Sequence, residues 1–549
     1  MIIRSVGRID RRAFFKISAL WTTACALNVN PVSVQAQSRV SDGAYDAVVI
    51  GTGLGGLAFA GYMARHGFKV LLIEQHDRPG GYATTFSRDS GRFTFDVSLH
   101  QLVVAGATER ILGDLAVLDK VKFVKAEKLF RLISKDLDVS CPTASAERFE
   151  QILSDRFPNQ KEGIHGFMTE MLDLNKEVAR FFEEGKLTLA GKLTFPIRFP
   201  RMWAARKKSL EDYLNQYVTD PGLRETLSVF CGYYGLPPSQ LSGFYYMNAT
   251  AEFFRHGGSY PIGGSEAVSK ALADFIESKG GEILCGVTVD QILIQNGTAV
   301  GVRTSDGKAY RARAVVANCS APRLFGQMIS PDHIPSDFLQ KIRSLKPSVS
   351  SFVVWLGLKK DVTATVKDSH IFLSAEQDQE KAWQHSIKCD PERANIGVCI
   401  YDHINKKYSL PGTNTLSITL ICGYEPWAAL ERNYWKGDKK EYNAMKQLIA
   451  NALIRRVERD LIPGLSQIIA VAEAGTPLTN IRYTLNTAGA IYGFEQSLEN
   501  SFMNRISNRT PIKGLYLAGA WGEPGGGYTG VLISGRKTFG MLMEDWGHA

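Results

Sequence analysis

"VVIGTGLGGLAFAG", residues 48–61, sets glycines at 51, 53, 55, 56 and 61 directly behind a β-branched apolar run. Glycine costs conformational entropy and adds no core volume, so its repetition marks a place where the backbone must be approached closely. "DAVVI" (46–50) reads as a buried parallel strand, and Leu57, Ala60, Met63 and Ala64 then follow at helical spacing as far as Gly67. "KVLLIE" (69–74) supplies a second strand. Strand, turn, helix and strand make one βαβ unit. Within it Gly51, Gly53 and Gly56 form GxGxxG: the first permits the tight turn, the second lets backbone approach a pyrophosphate, and the third lets helix and strand pack. The helix start aims unpaired N–H groups and its positive dipole end at phosphate. Glu74 stands 23 residues after Gly51, where a carboxylate accepts hydrogen bonds from a ribose 2′-OH. The ligand expected here is a dinucleotide.

Beyond Glu74, "QHDRPGGYATTF" adds Arg78, Gly80 and Gly81, a second close approach of backbone to ligand. It resembles the second glycine motif of FAD-binding oxidoreductases of the glutathione reductase structural class. The chain has no CxxC pair, which disfavours the disulfide-reductase branch and any zinc ribbon or dithiol centre. A separate Rossmann domain for NAD(P) is not expected, because no second GxGxxG follows a strand. In "RFTFDVSLH" (92–100) the alternation places Phe93, Phe95, Val97 and Leu99 on one face and Thr94, Asp96, Ser98 and His100 on the other. That polar face needs partners, which a cofactor or substrate can supply.

At 549 residues the chain is too long for one simple core. Its fold class is predicted as α/β: a Rossmann-like domain with a parallel sheet and a β-meander, and an interleaved α+β substrate domain. The dinucleotide-binding domain is expected in three pieces, 43–120, 255–330 and 481–549, and the substrate domain in two, 121–254 and 331–480. The first substrate piece reads as helix and loop, with "LEDYLNQYV" (210–218) as an example. "YPIGGSEAVSKALADFIESKGG" predicts a helix stopped by Gly280 and Gly281. Strands 287–294, 298–304 and 309–318 follow, joined by Asn296-Gly297 and Asp306-Gly307 turns as a meander. "SSFVVWLGL" and "TLSITLIC" read as alternating strands, with a helix around 440–458. The closing "LYLAGAWGEPGGGYTG" repeats strand, glycine loop and helix start.

The first 36 residues read as an address. Arg11 and Arg12 precede an apolar stretch from Ile17 to Leu27, and "VQA" ends at Ala36 in a signal-peptidase pattern. This resembles a twin-arginine signal, which implies a periplasmic protein exported after folding. Part of the net charge of +9 belongs to this leader, and the remainder forms no nucleic-acid stripe. "FPIRFPRMWAARKK" (195–208) mixes Arg198, Arg201, Arg206, Lys207 and Lys208 with aromatics, a composition that suits peripheral contact with an anionic membrane as well as a solvated helix start. Of eight cysteines, Cys25 lies in the leader, and an odd remainder argues against a full disulfide framework.

Taken in order, the GxGxxG unit, "GGYATTFSRDSGRFTFDVSLH", "YPIGGSEAVSKAL" with its meander, "GAIYGFE" (489–495) and the closing block resemble the phytoene desaturase, carotenoid isomerase and retinol saturase family of flavoproteins. The resemblance runs from about Asp46 to Trp546, and residues 120–250 carry little of it. It implies that FAD is the cofactor. Gly51, Gly53, Leu54, Gly55, Gly56 and Glu74 would then hold the ADP half, and Gly80, Gly81 and Tyr82 would lie along the pyrophosphate and flavin. Val289 would bring backbone to the adenine, while Gly519, Ala520 and the turn before Val531 would approach the pyrophosphate and ribityl. It also implies an apolar polyene or isoprenoid lipid as substrate, undergoing desaturation, saturation or isomerisation, with quinone or oxygen as electron acceptor. His100 is the candidate acid or base, as a near-neutral imidazole that shuttles a proton. Tyr260 and Tyr492 are candidates for the pocket wall, Asp96 is expected to be structural, and no metal site is expected. A flavin amine oxidase and a non-catalytic flavin-containing lipid carrier are the competing readings.

Overall fold

The computed structural model describes residues 44–184 and 194–547. The expected leader, including Arg11, Arg12 and Cys25, lies outside the described residues.

The predicted βαβ unit is present. Strand Tyr45–Ile50 runs parallel to Val70–Ile73, and the helix between them begins at Leu54, earlier than the apolar spacing alone marks. Eleven of that helix's twelve residues, Leu54 to Ala64, are buried, because it lies under a second helix, Tyr528–Asp545, as well as on the sheet. The two helices meet at glycine: a methyl on Gly535 would stand 2.3 Å from the carbonyl oxygen of Gly55.

The parallel sheet runs Glu282–Leu284, Val70–Ile73, Tyr45–Ile50, Ala309–Ala317 and Leu515–Leu517, with Val48 in register with both Leu71 and Val315. Strand Ala309–Ala317 belongs equally to the antiparallel meander with Val289–Gln295 and Thr298–Thr304. Asn296 and Gly297 both have positive φ in the turn between the first two meander strands, which is what an Asn-Gly hairpin requires.

A second sheet of seven strands takes the order Ile469–Gly475, Ser350–Leu358, Asn414–Cys422, Ile396–Cys399, His370–Leu373, Lys128–Ile133 and Asp138–Pro142. The last two, with Phe123–Lys125, lie in the stretch expected to hold helix and loop alone. They are short, and Lys128–Ile133 finds a parallel partner in His370–Leu373, far away in sequence. Ser350–Leu358 is buried along its whole length, so its two faces are not the alternating kind the sequence led us to expect; it is a central strand covered on both sides. The helix Leu210–Tyr217 is closed by a capping box between Ser209 and Asp212, and Lys440–Asp460 is the expected long helix.

Candidate functional site

One cavity of about 1780 Å³ runs through the molecule, larger than the ~300–1,000 Å³ of a pocket for one small ligand. Among the helix N-termini that open on its wall are the two that follow glycine loops. Gly53, Leu54 and Gly55 begin the first, and Gly527, Tyr528 and Thr529 begin the last, and neither terminus has a side-chain cap. Unspent N–H donors and two positive dipole ends facing one space suit a pyrophosphate.

What crowds the glycines differs from the sequence expectation. A Cβ on Gly51 or Gly53 would stand 2.8 or 2.9 Å from Asn318, one on Gly55 2.6 Å from the Gly519 Cα, and one on Gly56 2.3 Å from the Gly51 oxygen. The side chains are excluded by the chain itself: Asn318 donates from Nδ2 to the Gly51 carbonyl at 3.3 Å and stands against Gly51, Gly53, Gly55, Gly56 and Gly519. Gly56 and Gly519 accordingly sit behind the wall, whereas Gly51, Gly53, Leu54, Gly55, Ala520 and Val531 are on it. Gly80 and Gly81, at φ +127° and +59°, carry the chain past Gly53, and the Gly80 N–H donates to the Thr52 carbonyl at 3.1 Å.

Glu74 lines the cavity with Oε2 accepting from Thr52 N (2.8 Å) and Oγ1 (2.6 Å), and Oε1 accepting from His76 N (2.9 Å). This fixes the carboxylate and leaves lone pairs for a ribose hydroxyl. Val289, at the first meander strand, is on the same stretch of wall. Tyr82 lines the cavity too, its hydroxyl buried without a hydrogen-bond partner, and burial pushes the phenol's pKa up. An orphaned hydroxyl, two uncapped helix starts and a backbone cradle fit a bound dinucleotide.

Arg505 holds the closing loop. Its guanidinium donates to five backbone carbonyls: Gly522 (3.0 Å), Phe494 (3.1 Å), Glu495 (3.0 Å), Asn500 (3.2 Å) and Ala520 (2.8 Å). Burial lowers its pKa to about 10, so it stays charged near neutrality. It ties the "GAIYGFE" block to the final glycine loop, a role no local motif announces.

Farther along the wall the expectations for His100 need correction. The strand stops at Asp96, so Asp96 and His100 do not share a strand face. Asp96 is turned into protein, where it accepts from Ser98 N, Leu99 N, Ser265 N and Oγ, Tyr260 and Tyr408. Tyr260 is one of those donors, at 2.9 Å and fully buried, and so it is a core residue behind the wall. Tyr492 does line the cavity, its hydroxyl donating to the Gly232 carbonyl at 3.3 Å.

His100 faces the cavity stacked on Tyr233, with ring centroids 5.7 Å apart and planes 6° from parallel. Its Nδ1 is 2.8 Å from Cys399 Sγ, and burial lowers its pKa to about 4. The imidazole is therefore neutral through the physiological range and not poised near neutrality. His370 completes a cluster whose ligand atoms lie within 4.8 Å of one another. Its Nε2 donates to the His100 carbonyl (2.7 Å), which leaves Nδ1 to accept from Gln101 Nε2 (2.9 Å). With both His370 nitrogens engaged, and His100 and Cys399 closer than the about 3.5 Å separating two ligands of one tetrahedral metal, the three residues make a hydrogen-bonded chain.

The fold and site define a flavin-type dinucleotide-binding oxidoreductase. The family model for flavin containing amine oxidoreductases matches residues 54–538, and the chain belongs to that family, with FAD as its cofactor. The chain is 28% identical over 520 residues to prolycopene isomerase of Daucus carota (92% of this chain, 80% of the relative). It is 26% identical to all-trans-retinol 13,14-reductase of Danio rerio (86% and 82%) and 25% identical to phytoene desaturase of Rhodobacter capsulatus (92% and 95%). Among solved structures, cyclohexylamine oxidase of Brevibacterium oxydans shares the fold at 16% identity and a TM-score of 0.60, covering 92% of this chain and all of that one.

Proposed function

We propose that the protein is an FAD-dependent oxidoreductase that desaturates or saturates carbon–carbon bonds of a carotenoid-like, retinoid-like or other isoprenoid lipid. The observation that carries this reading is the continuity of the cavity, from the two uncapped helix starts past His100 to a wall of Tyr233, Phe253, Phe372 and Trp383. The names of the carrot, zebrafish and Rhodobacter relatives support a polyene in that space. Bound FAD supplies hydride and electron transfer.

The chain's part is to hold and orient. The two helix starts and Glu74 bind the dinucleotide, the aromatic wall excludes water, and His100 offers a neutral imidazole that can accept a proton leaving the carbon skeleton. Cys399 and Tyr233 fix the ring's direction. Replacing His100 with Gln is expected to cut turnover at unchanged FAD content.

The cavity also reaches the surface near Phe182, which is 70% exposed yet on its wall; Ile197 and Trp203 are exposed on the short helices Phe195–Arg198 and Pro200–Ala205. Together with Lys207 and Arg206, whose guanidinium covers the Trp203 ring, they support docking of this edge on an anionic bilayer from which the lipid enters. Among the described residues no helix is long and apolar enough to cross a membrane. Export by the twin-arginine leader would place the protein in the periplasm, away from a soluble NADPH pool, with quinone or oxygen as acceptor.

The test is anaerobic absorbance of the FAD-loaded protein on adding phytoene, all-trans-retinol or prolycopene, with product analysis. Loss of the flavin band with phytoene supports desaturation. Retinol reduced only when the flavin is pre-reduced supports saturation. Prolycopene converted to all-trans-lycopene without net redox change selects the second reading, isomerisation, which the carrot relative favours. A primary amine that bleaches the flavin while every polyene leaves it oxidised would overturn the proposal in favour of an amine oxidase.

A further inference from the structure

One face of helix Gly243–His256 runs along the cavity: Tyr245, Asn248, Ala249, Glu252 and Phe253, spaced three and four apart, all line it. The row is anchored beside the closing glycine loop, where the Tyr245 hydroxyl donates to the Gly526 carbonyl at 3.2 Å. Asn248 follows one turn, about 5 Å, farther along the helix. The orientation of its amide is dictated from behind by Asn175 of helix Lys161–Glu184, which is 2% exposed. Arg255 Nη1 donates to Asn175 Oδ1 at 2.6 Å, and a guanidinium can only donate, so Asn175 presents its Nδ2 to the other side. There Nδ2 donates to Glu252 Oε1 (2.7 Å), Asn248 Oδ1 (3.0 Å) and the Asn248 carbonyl (3.4 Å). The Asn248 side-chain oxygen is thereby spent. Its own Nδ2 has no acceptor among the described residues, which leaves two N–H donors unspent on the wall beside Val178, Ala249 and Phe253. A polyene filling this stretch strips water from the amide, and a donor left unpaired in a dry wall costs free energy that an acceptor on the ligand removes.

We propose that Asn248 is a specificity residue that donates a hydrogen bond to the oxygen of an oxygenated polyene, a carbonyl or a hydroxyl. The inference rests on the polyene reading above and narrows it. Carbonyl and hydroxyl oxygens accept; a hydrocarbon end has no acceptor, and an ammonium, which only donates, would set its protons against those of the amide. Glu252 does not reverse this preference: it lies a further turn from the glycine loop, already accepts from Asn175, and has His256 Nε2 3.8 Å from its other oxygen. A site that hydrogen-bonds an oxygen rejects the analogue lacking it, because the protein's own donor is then left unpaired.

The experiment titrates the FAD-loaded protein, in detergent and under argon, with retinoids that differ only in the end group: all-trans-retinal, all-trans-retinol, the hydrocarbon analogue ending in methyl, and retinylamine. Binding is read by quenching of tryptophan fluorescence, to which Trp383 contributes from the wall. The wild type is expected to bind retinal or retinol about tenfold more tightly than the hydrocarbon, the worth of one buried hydrogen bond, and retinylamine no better than the hydrocarbon. The tighter of retinal and retinol shows whether the oxygen is a carbonyl or a hydroxyl. Asn248→Leu should bring the ratio of oxygenated to hydrocarbon probe close to one, with Asn175 keeping Glu252 and the residue-248 carbonyl as acceptors. Asn248→Asp, which puts an acceptor where the donors stood, should shift the preference to retinylamine. Unchanged FAD content and melting temperature show that both variants are folded. A ratio near one in the wild type, an unchanged ratio in Asn248→Leu, or a wild-type preference for retinylamine would overturn the role of Asn248 while leaving the polyene reading standing. Failure of every probe to bind would overturn both.

Discussion

The two ends of the cavity are built from different material. At the dinucleotide end the wall is mostly backbone: glycine turns at 51–56 and 80–81, two helix starts, and loops pinned by Asn318 and Arg505. At the other end, where we propose that the lipid binds, it is side chain, drawn from helices and strands around the second sheet. The glycine turns tolerate almost no change, because beside each glycine of 51–56 and 80–81 the place of the missing side chain is already taken by another part of the chain. A side-chain site can be re-cut one residue at a time. The first end therefore carries the family's motifs, and the second is the part free to vary.

Adding volume to the cradle should produce the largest effect. Gly55→Val drives a branched side chain into the Gly519 backbone, and purified protein should be unfolded or free of FAD, as read by the absorbance ratio at 450 and 280 nm. Comparable damage from Val229→Phe at the lipid end would break the contrast. Arg505→Met comes next. It strips five carbonyls of their donor, and a loss of roughly 3 kcal/mol or more in stability, with weaker FAD retention, is expected by denaturant titration.

Acid should act on the lipid end through its histidines. His100 and His370 have folded pKa values lowered to about 4 and about 3, from 6.5. Between these values and 6.5 the unfolded chain binds more protons, so stability is complete above pH 6.5 and falls as pH drops through the window. Each contributes roughly 3 kcal/mol of loss by pH 4. Thermal melts from pH 7 to 4 should show this slope, and His370→Gln should flatten it; an unaltered slope would locate acid sensitivity elsewhere. The smallest effect is at the edge near Phe182. Ile197→Ser with Trp203→Ser should lower binding to anionic vesicles severalfold at unchanged FAD content, as measured by co-sedimentation.

The legible parts of the chain were those whose meaning is local. GxGxxG with its strand and acid, the Asn296-Gly297 and Asp306-Gly307 turns, and the Gly280-Gly281 stop each declare a backbone conformation within a few residues. Strands Phe123–Lys125, Lys128–Ile133 and Asp138–Pro142 escaped because they are short and Lys128–Ile133 is stabilised by a strand about 240 residues away. The alternation that carried "RFTFDVSLH" on to His100 failed at Asp96, where six donors pull the carboxylate into protein and the strand ends. Tyr260, a candidate for the pocket wall, has its hydroxyl committed instead to Asp96. Asn318, Arg505 and Cys399 had no signature, since each acquires its role only from what the fold brings beside it.

The contact between Gly55 and Gly519 also sets a timetable. Some 460 residues separate them, so during synthesis the first glycine turn emerges early and waits, without its wall, for nearly the whole chain to follow. The cradle cannot close around a cofactor until the last strand and helix have been made and have docked on the first. Loading is thus a late event in the life of each molecule, and cofactor supply at that moment determines how much of the newly made chain becomes enzyme.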